Sequence, residues 1–451
     1  MRFRFLTFVV LGAILVALGE WSIFSKKHGP LESLDHFWLE FCVGFTGEKI
    51  SDPAVTVVRI NDDYEPLSIG EETPAAADGR LSRLDYATIL GFLGKLDPKA
   101  IAFLPTPTFD ENLVLNQTDV VPLEGAAMQL PRFLVAANVS NDGEEAKETS
   151  PLPFPKLKVN GNVESVLEFT RSVRKPDGQL MQNADPAIKS IESARGLTDN
   201  GVLRIPLIAR YQDSIVPSIA LSAVALYDGV PVEEATVDFS AASPVVILGE
   251  RTIPIEKDGT MIFPAYAGVA PERKSKDEQD DKIPHFTALT VDELAYTGEE
   301  EDEVAKRILA SFQSKFDSIS RNLVVIGYDR TGDRRFTLPN GNVISETMLL
   351  ARVIATIQSG RFIDWWPSWA RWIATAAIFV LAVILFGFGR GKFVIGWFLS
   401  LLAFFAMMVL VFKATLSWTP PWFAFSLFLL MLLIGLIVPL SGNKPNAEAE
   451  A

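Results

Sequence analysis

Cysteine and histidine are nearly missing from this chain of 451 residues, which contains one cysteine, Cys42, and three histidines. A single cysteine excludes an intramolecular disulfide, and the few histidines show no ligand spacing for zinc or haem. The sequence also lacks a phosphate-binding glycine loop, a nucleophile elbow and an HExxH motif. We therefore expect no catalysis, no cofactor and no metal site. An exported hydrolase is a disfavoured alternative, because a nucleophile and its base can lie far apart in sequence.

Positive charge is scarce outside the two ends of the chain. The net charge is −14, from 41 Lys and Arg against 55 Asp and Glu. Residues 1–20 and 371–451 carry 7 − 3 = +4, so residues 21–370 carry −14 − 4 = −18. Nucleic-acid binding requires a basic surface, so we expect no nucleic-acid partner. An acidic surface of this size is typical of a soluble domain that faces water.

Three long apolar runs follow one another near the C-terminus, with only short polar breaks between them. They cover residues 369–388, 393–412 and 422–440. Each has about 20 residues, the length that a helix needs to cross the hydrocarbon of a bilayer. The runs are apolar on all sides, whereas a soluble core helix has a polar face. We predict three membrane-spanning helices within residues 367–440; the alternative is a very hydrophobic buried bundle.

A fourth apolar segment begins the chain, directly after Arg2 and Arg4. A cleaved signal peptide would show the same pattern, but the cleavage site at residues 17–19 is weak and is followed by Glu and Trp. We therefore favour an uncleaved N-terminal transmembrane helix at residues 1–25.

The basic residues predict how these segments cross the membrane. Short cytoplasmic loops are rich in Lys and Arg, which places the N-terminus and the break at Arg390 and Lys392 in the cytoplasm. Residues 26–366 then lie outside the cell, and the tail at 441–451 lies inside. We expect this tail, of about 11 residues, to be too short to fold as an output domain. The predicted location is a bacterial inner membrane.

Residues 26–366 show the alternation of strands and helices that is typical of an α/β domain with a mixed sheet and flanking helices. Strands are predicted at 54–60, 100–104, 133–137, 202–209, 244–248, 251–255, 261–263 and 322–327, and helices at 84–96, 217–227, 299–316 and 348–357. Pro217 begins the predicted helix at 217–227, and we expect it in the first turn of that helix. Residues 141–150 and 271–284 are polar and predict loops.

Charged side chains follow the first and last of the buried strands, and these side chains are the best candidates for a ligand site. In open α/β sheets, ligands bind at the carboxyl ends of the strands. The alternative interpretation is turn capping and structural ion pairing without a ligand. The candidate ligand-binding residues are Asp62, Asp63, Arg80, Arg83, Asp329 and Asp333.

Several short motifs, taken in their order along the chain, resemble the CHASE2 sensory proteins of bacteria. The matching motifs are INDD at 60–63, DNGVLRIPL at 199–207, Pro217 with Ser218, Ile253-Pro254 with Asp258-Gly259, and LVVIG at 323–327 followed by Asp333 and Pro339. The chain departs from the family at three places where a ligand site would be expected. Leu104 replaces an aspartate, residues 71–83 lack a Trp-Pro-Trp type segment, and a Gly-x-x-x-His pattern is absent near Ser345.

The resemblance implies an extracytoplasmic sensory domain that is held by one span before it and three after it. We expect such a protein to bind a small molecule or a protein outside the cell. It would signal through its spans to a separate membrane or cytoplasmic protein, with the lipid bilayer as its permanent partner. The alternative is a scaffold subunit of a cell-envelope complex that does not switch.

Overall fold

The computed structural model describes residues 2–25, 37–39, 41–42, 54–66, 81–109, 117–140, 151–189, 204–240, 243–262, 286–295, 303–337, 343–419 and 421–438. The chain forms two compact units. The α/β unit is Gly47–Phe362, and the helical unit combines Met1–Thr46 with Ile363–Ala451. The predicted boundaries of the exterior domain, at residues 25 and 366, are boundaries with a membrane. Nothing in the structure tests them, so they stay a prediction.

Ten helices are used below, and they are numbered in chain order. They are α1 (Arg2–Ser25), α2 (Arg83–Lys95), α3 (Gln117–Gln129), α4 (Ile219–Asp228), α5 (Val291–Ala295), α6 (Glu303–Arg321), α7 (Glu346–Ser359), α8 (Ser368–Leu385), α9 (Arg390–Thr415) and α10 (Pro421–Ile437).

The strands of the described residues are numbered in the same way. They are β1 (Val55–Ile60), β2 (Ala100–Phe103), β3 (Phe133–Ser140), β4 (Lys158–Asn160), β5 (Glu168–Phe169), β6 (Arg171–Arg174), β7 (Ala184–Ile188), β8 (Arg204–Pro206), β9 (Ile208–Tyr211), β10 (Ser214–Pro217), β11 (Thr236–Asp238), β12 (Val245–Leu248), β13 (Arg251–Pro254), β14 (Thr260–Ile262), β15 (Thr287–Thr290), β16 (Leu323–Tyr328), β17 (Arg335–Thr337), β18 (Val343–Ser345), β19 (Asp364–Trp365) and β20 (Ser417–Trp418).

A parallel sheet forms the centre of the α/β unit. Its strand order is β15-β1-β16-β2-β3-β7, and every neighbouring pair in this order is parallel. Strand β6 adds an antiparallel pairing to the far end of β3. The prediction of a mixed sheet with flanking helices is therefore confirmed.

Both faces of this sheet are covered, which explains the near-continuous apolar sequences of its strands. Successive residues alternate between two cores: Val55 and Val57 of β1 belong to one, and Val58 and Ile60 to the other. Helices α4 and α7 supply the first core, and α2 and α3, with the end of α6, supply the second. The sheet is thus the middle of three layers, and loops follow the ends of its strands.

A group of small sheets is built from strands that lie between β3 and β15 in the chain, and it packs into the core of α4 and α7. It contains β4 with β11, β12 and β13, then β5 with β9 and β10, and the pair of β8 and β14. The predicted strand at 202–209 is two strands, which join different sheets. Pro217 ends β10, so its predicted place in the first turn of a helix is wrong. Ser218 caps α4 instead, because its hydroxyl accepts from the Leu221 amide.

The helical unit contains α1, α8, α9 and α10, close to the positions of the four predicted spans. By length and composition, α9 is the described helix that is long and apolar enough to cross a membrane. Arg4–Leu18, Trp369–Leu385 and Ala424–Ile437 are apolar but shorter. The number of membrane crossings, one before and three after the α/β unit, therefore stays a prediction.

The helices of this unit pack through aromatic side chains at one end. Phe8 of α1 contacts Phe379 and Phe386, with ring centroids 5.0 and 5.9 Å apart, and Phe386 stacks on Phe393 of α9 at 5.8 Å. Arg4 Nε donates to the Val438 carbonyl, which follows α10, at 2.5 Å. The start of α1, the turn between α8 and α9, and the end of α10 therefore meet at this end.

Candidate functional site

The carboxyl ends of β1 and β16 lie side by side, because these two strands are parallel neighbours. The Asp62 carboxylate, just after β1, accepts two bonds from Thr331, which follows β16. The Thr331 amide lies 2.8 Å from Asp62 Oδ2, and the Thr331 hydroxyl lies 2.5 Å from the same oxygen. These bonds lower the pKa of Asp62, the hydroxyl bond most. Two predicted site loops are thus joined.

The other two carboxylates after β16 also have partners within the protein. Asp329 accepts from Arg335 Nη1 at 2.6 Å and from Arg59 Nη1 at 3.4 Å. Asp333 Oδ2 accepts from the Arg330 amide at 2.7 Å. These contacts match the capping and ion-pair interpretation of the sequence, and they leave a ligand role for Asp329 and Asp333 as a prediction.

Asp63 lies at a more acidic part of the same sheet edge. Asn61 Nδ2 donates to Asp63 Oδ2 at 2.8 Å on the exposed surface. Burial raises the pKa of Asp292, at the start of α5, and the charges of Asp63 and Glu293 raise it further. Strand β15 ends directly before α5, so the acidic group sits at the ends of β1 and β15.

Arg83 contacts a different set of residues, at the start of α2. Its Nη2 donates to Asp177 Oδ2 at 3.0 Å, and its guanidinium lies 4.1 Å from the centre of the Phe109 ring. Both charged side chains are almost completely buried, so the pair exchanges little with water. Arg80, the remaining candidate, lies outside the described residues.

Buried polar atoms without a partner among the described residues surround the Arg83–Asp177 pair. They are Arg83 Nε, Arg83 Nη1, Thr106 Oγ1 and Gln179 Oε1. Each such atom costs about 1–3 kcal/mol when nothing bonds it, so this cluster has the donors and acceptors to hold a small polar molecule. Asp177 joins the parts, because its amide donates to the Pro107 carbonyl at 2.7 Å and its Oδ1 accepts from the Gln179 amide at 2.9 Å.

Sequence reasoning missed Thr106, Phe109, Asp177 and Gln179. Thr106 and Phe109 follow β2, so the rule that selected Asp62 would also have selected them. Asp177 and Gln179 lie in a turn far along the chain, and their sequence carries no signal for this contact. Among the described residues, no group of three or more His, Cys, Asp or Glu side chains is arranged to hold a metal ion.

Two hydrogen bonds made by tyrosine hydroxyls connect the strand ends to α2. The Tyr64 hydroxyl donates to Asp85 Oδ1 at 2.9 Å, and burial, with the nearby Asp85 charge, raises the pKa of Tyr64. The hydroxyls of Tyr86 and Tyr328 lie 2.9 Å apart. Asp85 also accepts from the Ser82 amide and hydroxyl, each at 2.7 Å. The strand ends of β1 and β16 and the start of α2 are therefore linked by hydrogen bonds.

The α/β unit is thus a covered parallel sheet with charged and polar side chains gathered at its strand ends. The sequence model of the CHASE2 domain matches residues 9–386, which is most of the chain, so the chain belongs to the CHASE2 family. CHASE2 is a family of extracellular sensory domains, which agrees with a sensor role. No curated protein and no solved structure matches the chain.

Proposed function

We propose that this protein is a membrane-anchored sensor whose α/β unit binds a small polar ligand or a partner outside the cell. On this proposal its helical unit passes the signal to a separate protein. The observation that carries the proposal is the CHASE2 match over residues 9–386, on a fold that gathers charged side chains at its strand ends. The family is sensory and extracellular, and an apolar helix long enough to span a bilayer follows the α/β unit.

Helix α7 is the element best placed to carry a signal away from the site. Near its first turn, the Thr347 hydroxyl donates to the carbonyl of Tyr328, the last residue of β16, at 2.9 Å. Its last carbonyls, of Ile357 and Gln358, accept from Arg251 Nη1 at 3.1 and 2.8 Å. Helix α7 is therefore bonded to the strand ends at its first turn and to Arg251 of β13 at its last turn, and on this proposal a change at the strand ends acts on it directly.

The chain after α7 is tied to the α9–α10 connection by a short parallel ladder. The Asp364 amide donates to the Leu416 carbonyl at 3.2 Å, and the Trp366 amide donates to the Trp418 carbonyl at 2.7 Å. Trp366 Nε1 also donates to the Ser417 carbonyl at 3.0 Å. On this proposal, the signal leaves α7 along the few residues between Ser359 and Asp364, where β19 begins, and the ladder passes it to α9 and α10.

Ligand binding is tested with the full chain in a mild detergent. The probes are single amino acids, dicarboxylic acids and hexoses, and the readout is the thermal unfolding midpoint. We expect at least one probe to raise the midpoint of the wild-type protein. The triple variant Asp62→Asn, Asp63→Asn, Arg83→Met should lose that rise. The control, Glu233→Gln with Glu234→Gln, changes exposed carboxylates before β11 and should keep it.

The scaffold is the second candidate function, and one observation favours it. The carboxylates of Asp62, Asp329 and Asp333 already accept bonds from neighbouring residues, as structural turns do. A scaffold would purify as a stable stoichiometric complex, and no probe would shift its unfolding midpoint. A sensor that signals to a separate protein would show a ligand-dependent shift, and it would bring that protein down in repeated mild-detergent purifications.

A further inference from the structure

Arg4 is a buried charge at the end of the helical unit where α1 begins. Its side chain is 1% exposed, and it is among the largest fully buried side chains. Among the described residues, Arg4 Nε alone has a hydrogen-bond acceptor, the Val438 carbonyl at 2.5 Å. Nη1 and Nη2 are buried and have no partner among the described residues. A buried charge in this state is expensive unless an anion pairs with it.

Positive groups near Arg4 add to the cost of its unpaired charge. Arg390, the first residue of α9, is the like charge that acts on Arg4, and Lys392 follows it. The residue that caps the start of α9 is Gly389, which has no side chain to bond the first amide groups. The positive end of a helix of 26 residues therefore adds to the same field.

Neutralising side chains are missing from the helices that form this end. The sequence of residues 368–438 contains no Asp or Glu, and the acid of α1 is Glu20. Glu20 is 16 residues from Arg4, which is about 24 Å along a helix. A Cβ added at Gly389 or Gly391 would meet nothing within 4 Å, so the surface at the start of α9 is open.

We propose that this end of the helical unit, formed by Arg4, Arg390, Lys392 and the start of α9, binds the phosphate of an anionic lipid headgroup. The paired Nη1 and Nη2 groups of an arginine fit two oxygens of a phosphate. A lipid is the favoured source, because α9 itself has the length and composition of a membrane span. The inference rests on the membrane anchoring in the proposed function, and Arg4 lies outside the residues that match CHASE2.

The test uses the full chain in nanodiscs of phosphatidylcholine, alone or with part of it replaced by phosphatidylglycerol. Phosphatidylglycerol should raise the thermal unfolding midpoint, and Arg4→Met should remove that rise and weaken the lipid's binding about tenfold. Arg4→Lys keeps the charge without the paired donors, so it should fold and still bind the lipid more weakly. Lys413→Met, at the other end of α9, is the matched control and should keep the full rise.

Three results would overturn the inference. The first is an equal rise in wild type and in both Arg4 variants. The second is the same rise from inorganic phosphate in pure phosphatidylcholine, which would assign a free anion. The third is a phosphatidylglycerol-dependent rise of the midpoint that appears only after Glu448→Gln with Glu450→Gln. That result would mean that the acidic tail of the chain, and not a lipid, pairs with Arg4. Release of the chain from membranes by alkaline carbonate would contradict the membrane anchoring itself, whereas an embedded chain without a lipid effect contradicts this inference alone.

Discussion

The contact between Asp62 and Thr331 can be measured through the pKa of Asp62. Thr331 lowers the pKa of Asp62 below its ordinary value of 3.8 in the folded protein. The stabilisation is therefore complete above that value and is lost as pH falls through the lower, folded-state pKa. We predict that Asp62→Asn lowers the thermal midpoint at neutral pH and flattens the acid side of its pH profile, followed from about pH 6 to about pH 3.

Asp292 is the control for this prediction, because its pKa is shifted in the opposite direction. Burial raises it, and the charges of Asp63 and Glu293 add to the effect. The folded chain then holds its proton to higher pH than the unfolded chain, so stability falls as pH rises from the ordinary value through the raised pKa. Asp292→Asn should raise the midpoint at neutral pH. Equal midpoint changes in the two variants would contradict the Asp62 contact.

Gly327 sets how closely α7 approaches β16 at the proposed site. A Cβ at this position would lie 2.2 Å from Thr347 Oγ1 and 3.0 Å from Leu104 Cδ1. Thr347 is buried, β-branched and bonded to Tyr328, so it has little freedom to move aside. We predict that Gly327→Ala lowers the stability of the full chain by about 1–3 kcal/mol, measured by thermal unfolding.

The matched control for Gly327 is a glycine in the middle of α2. A Cβ at Gly91 would meet nothing within 4 Å. Alanine is favoured over glycine inside a helix by about 0.5–1 kcal/mol, so Gly91→Ala should leave the midpoint unchanged or raise it. A loss of stability that is the same in both variants would mean that the contact with Thr347 does not matter.

Among the elements, the central strands were the most predictable. Strands β1, β2, β3 and β16 were each predicted within a few residues, because a strand that is covered on both faces needs a run of apolar side chains. Helices α2 and α6 were predicted from their spacing of apolar residues, and the predicted helix at 348–357 lies within α7. The predicted loops at 141–150 and 271–284 lie outside the described residues.

The missed elements lack those signals. Strands β4, β5 and β11 have only two or three residues each, and their pairing depends on distant partners. Helix α3 contains Pro122, which argues against a helix in sequence. Pro217 was wrongly placed because proline suits both the first turn of a helix and the last residue of a strand.

The same limit applies to the site. Sequence alone placed Asp62 and Asp333 after strands, but the strands that carry them are about 270 residues apart in the chain. That β1 and β16 are neighbours follows from the fold, in which β16 inserts between β1 and β2. The polar cluster at Arg83 and Asp177 could not be predicted from sequence either, because these two residues are also far apart in the chain.

Close packing of α9 against α10 depends on one glycine. A Cβ at Gly435 would lie 2.2 Å from Phe393 Cζ, and the Phe393 ring is fully buried and stacked on Phe386. We predict that Gly435→Ala lowers the stability of the chain in detergent by about 1–3 kcal/mol, measured by thermal unfolding, because the buried ring cannot move aside. Gly391→Ala, which meets nothing within 4 Å, is the control. An unchanged midpoint for Gly435→Ala would show that the helices separate easily.

At the scale of the whole molecule, the two ends of the helical unit differ in character. One end gathers Arg4, Arg390 and Lys392, and the other holds the β19–β20 ladder with its tryptophans. Basic residues favour the cytoplasmic side of a membrane, and indole rings favour the headgroup layer. On the proposed topology, the basic end would face the cytoplasm and the ladder would lie on the outer side of the membrane.

The lone cysteine makes this topology measurable. Cys42 is 1% exposed, and burial raises its pKa to about 12, so the native thiol should react slowly with a maleimide. We introduce one exposed cysteine at a time, Glu233→Cys in the α/β unit or Lys392→Cys between α8 and α9. In intact spheroplasts, a membrane-impermeant maleimide should label the first variant, and the second only after permeabilisation, while the unchanged chain stays unlabelled until it is denatured. The reverse order would place the α/β unit in the cytoplasm and remove the extracellular sensor, because no span would then separate its ligand from the cell interior.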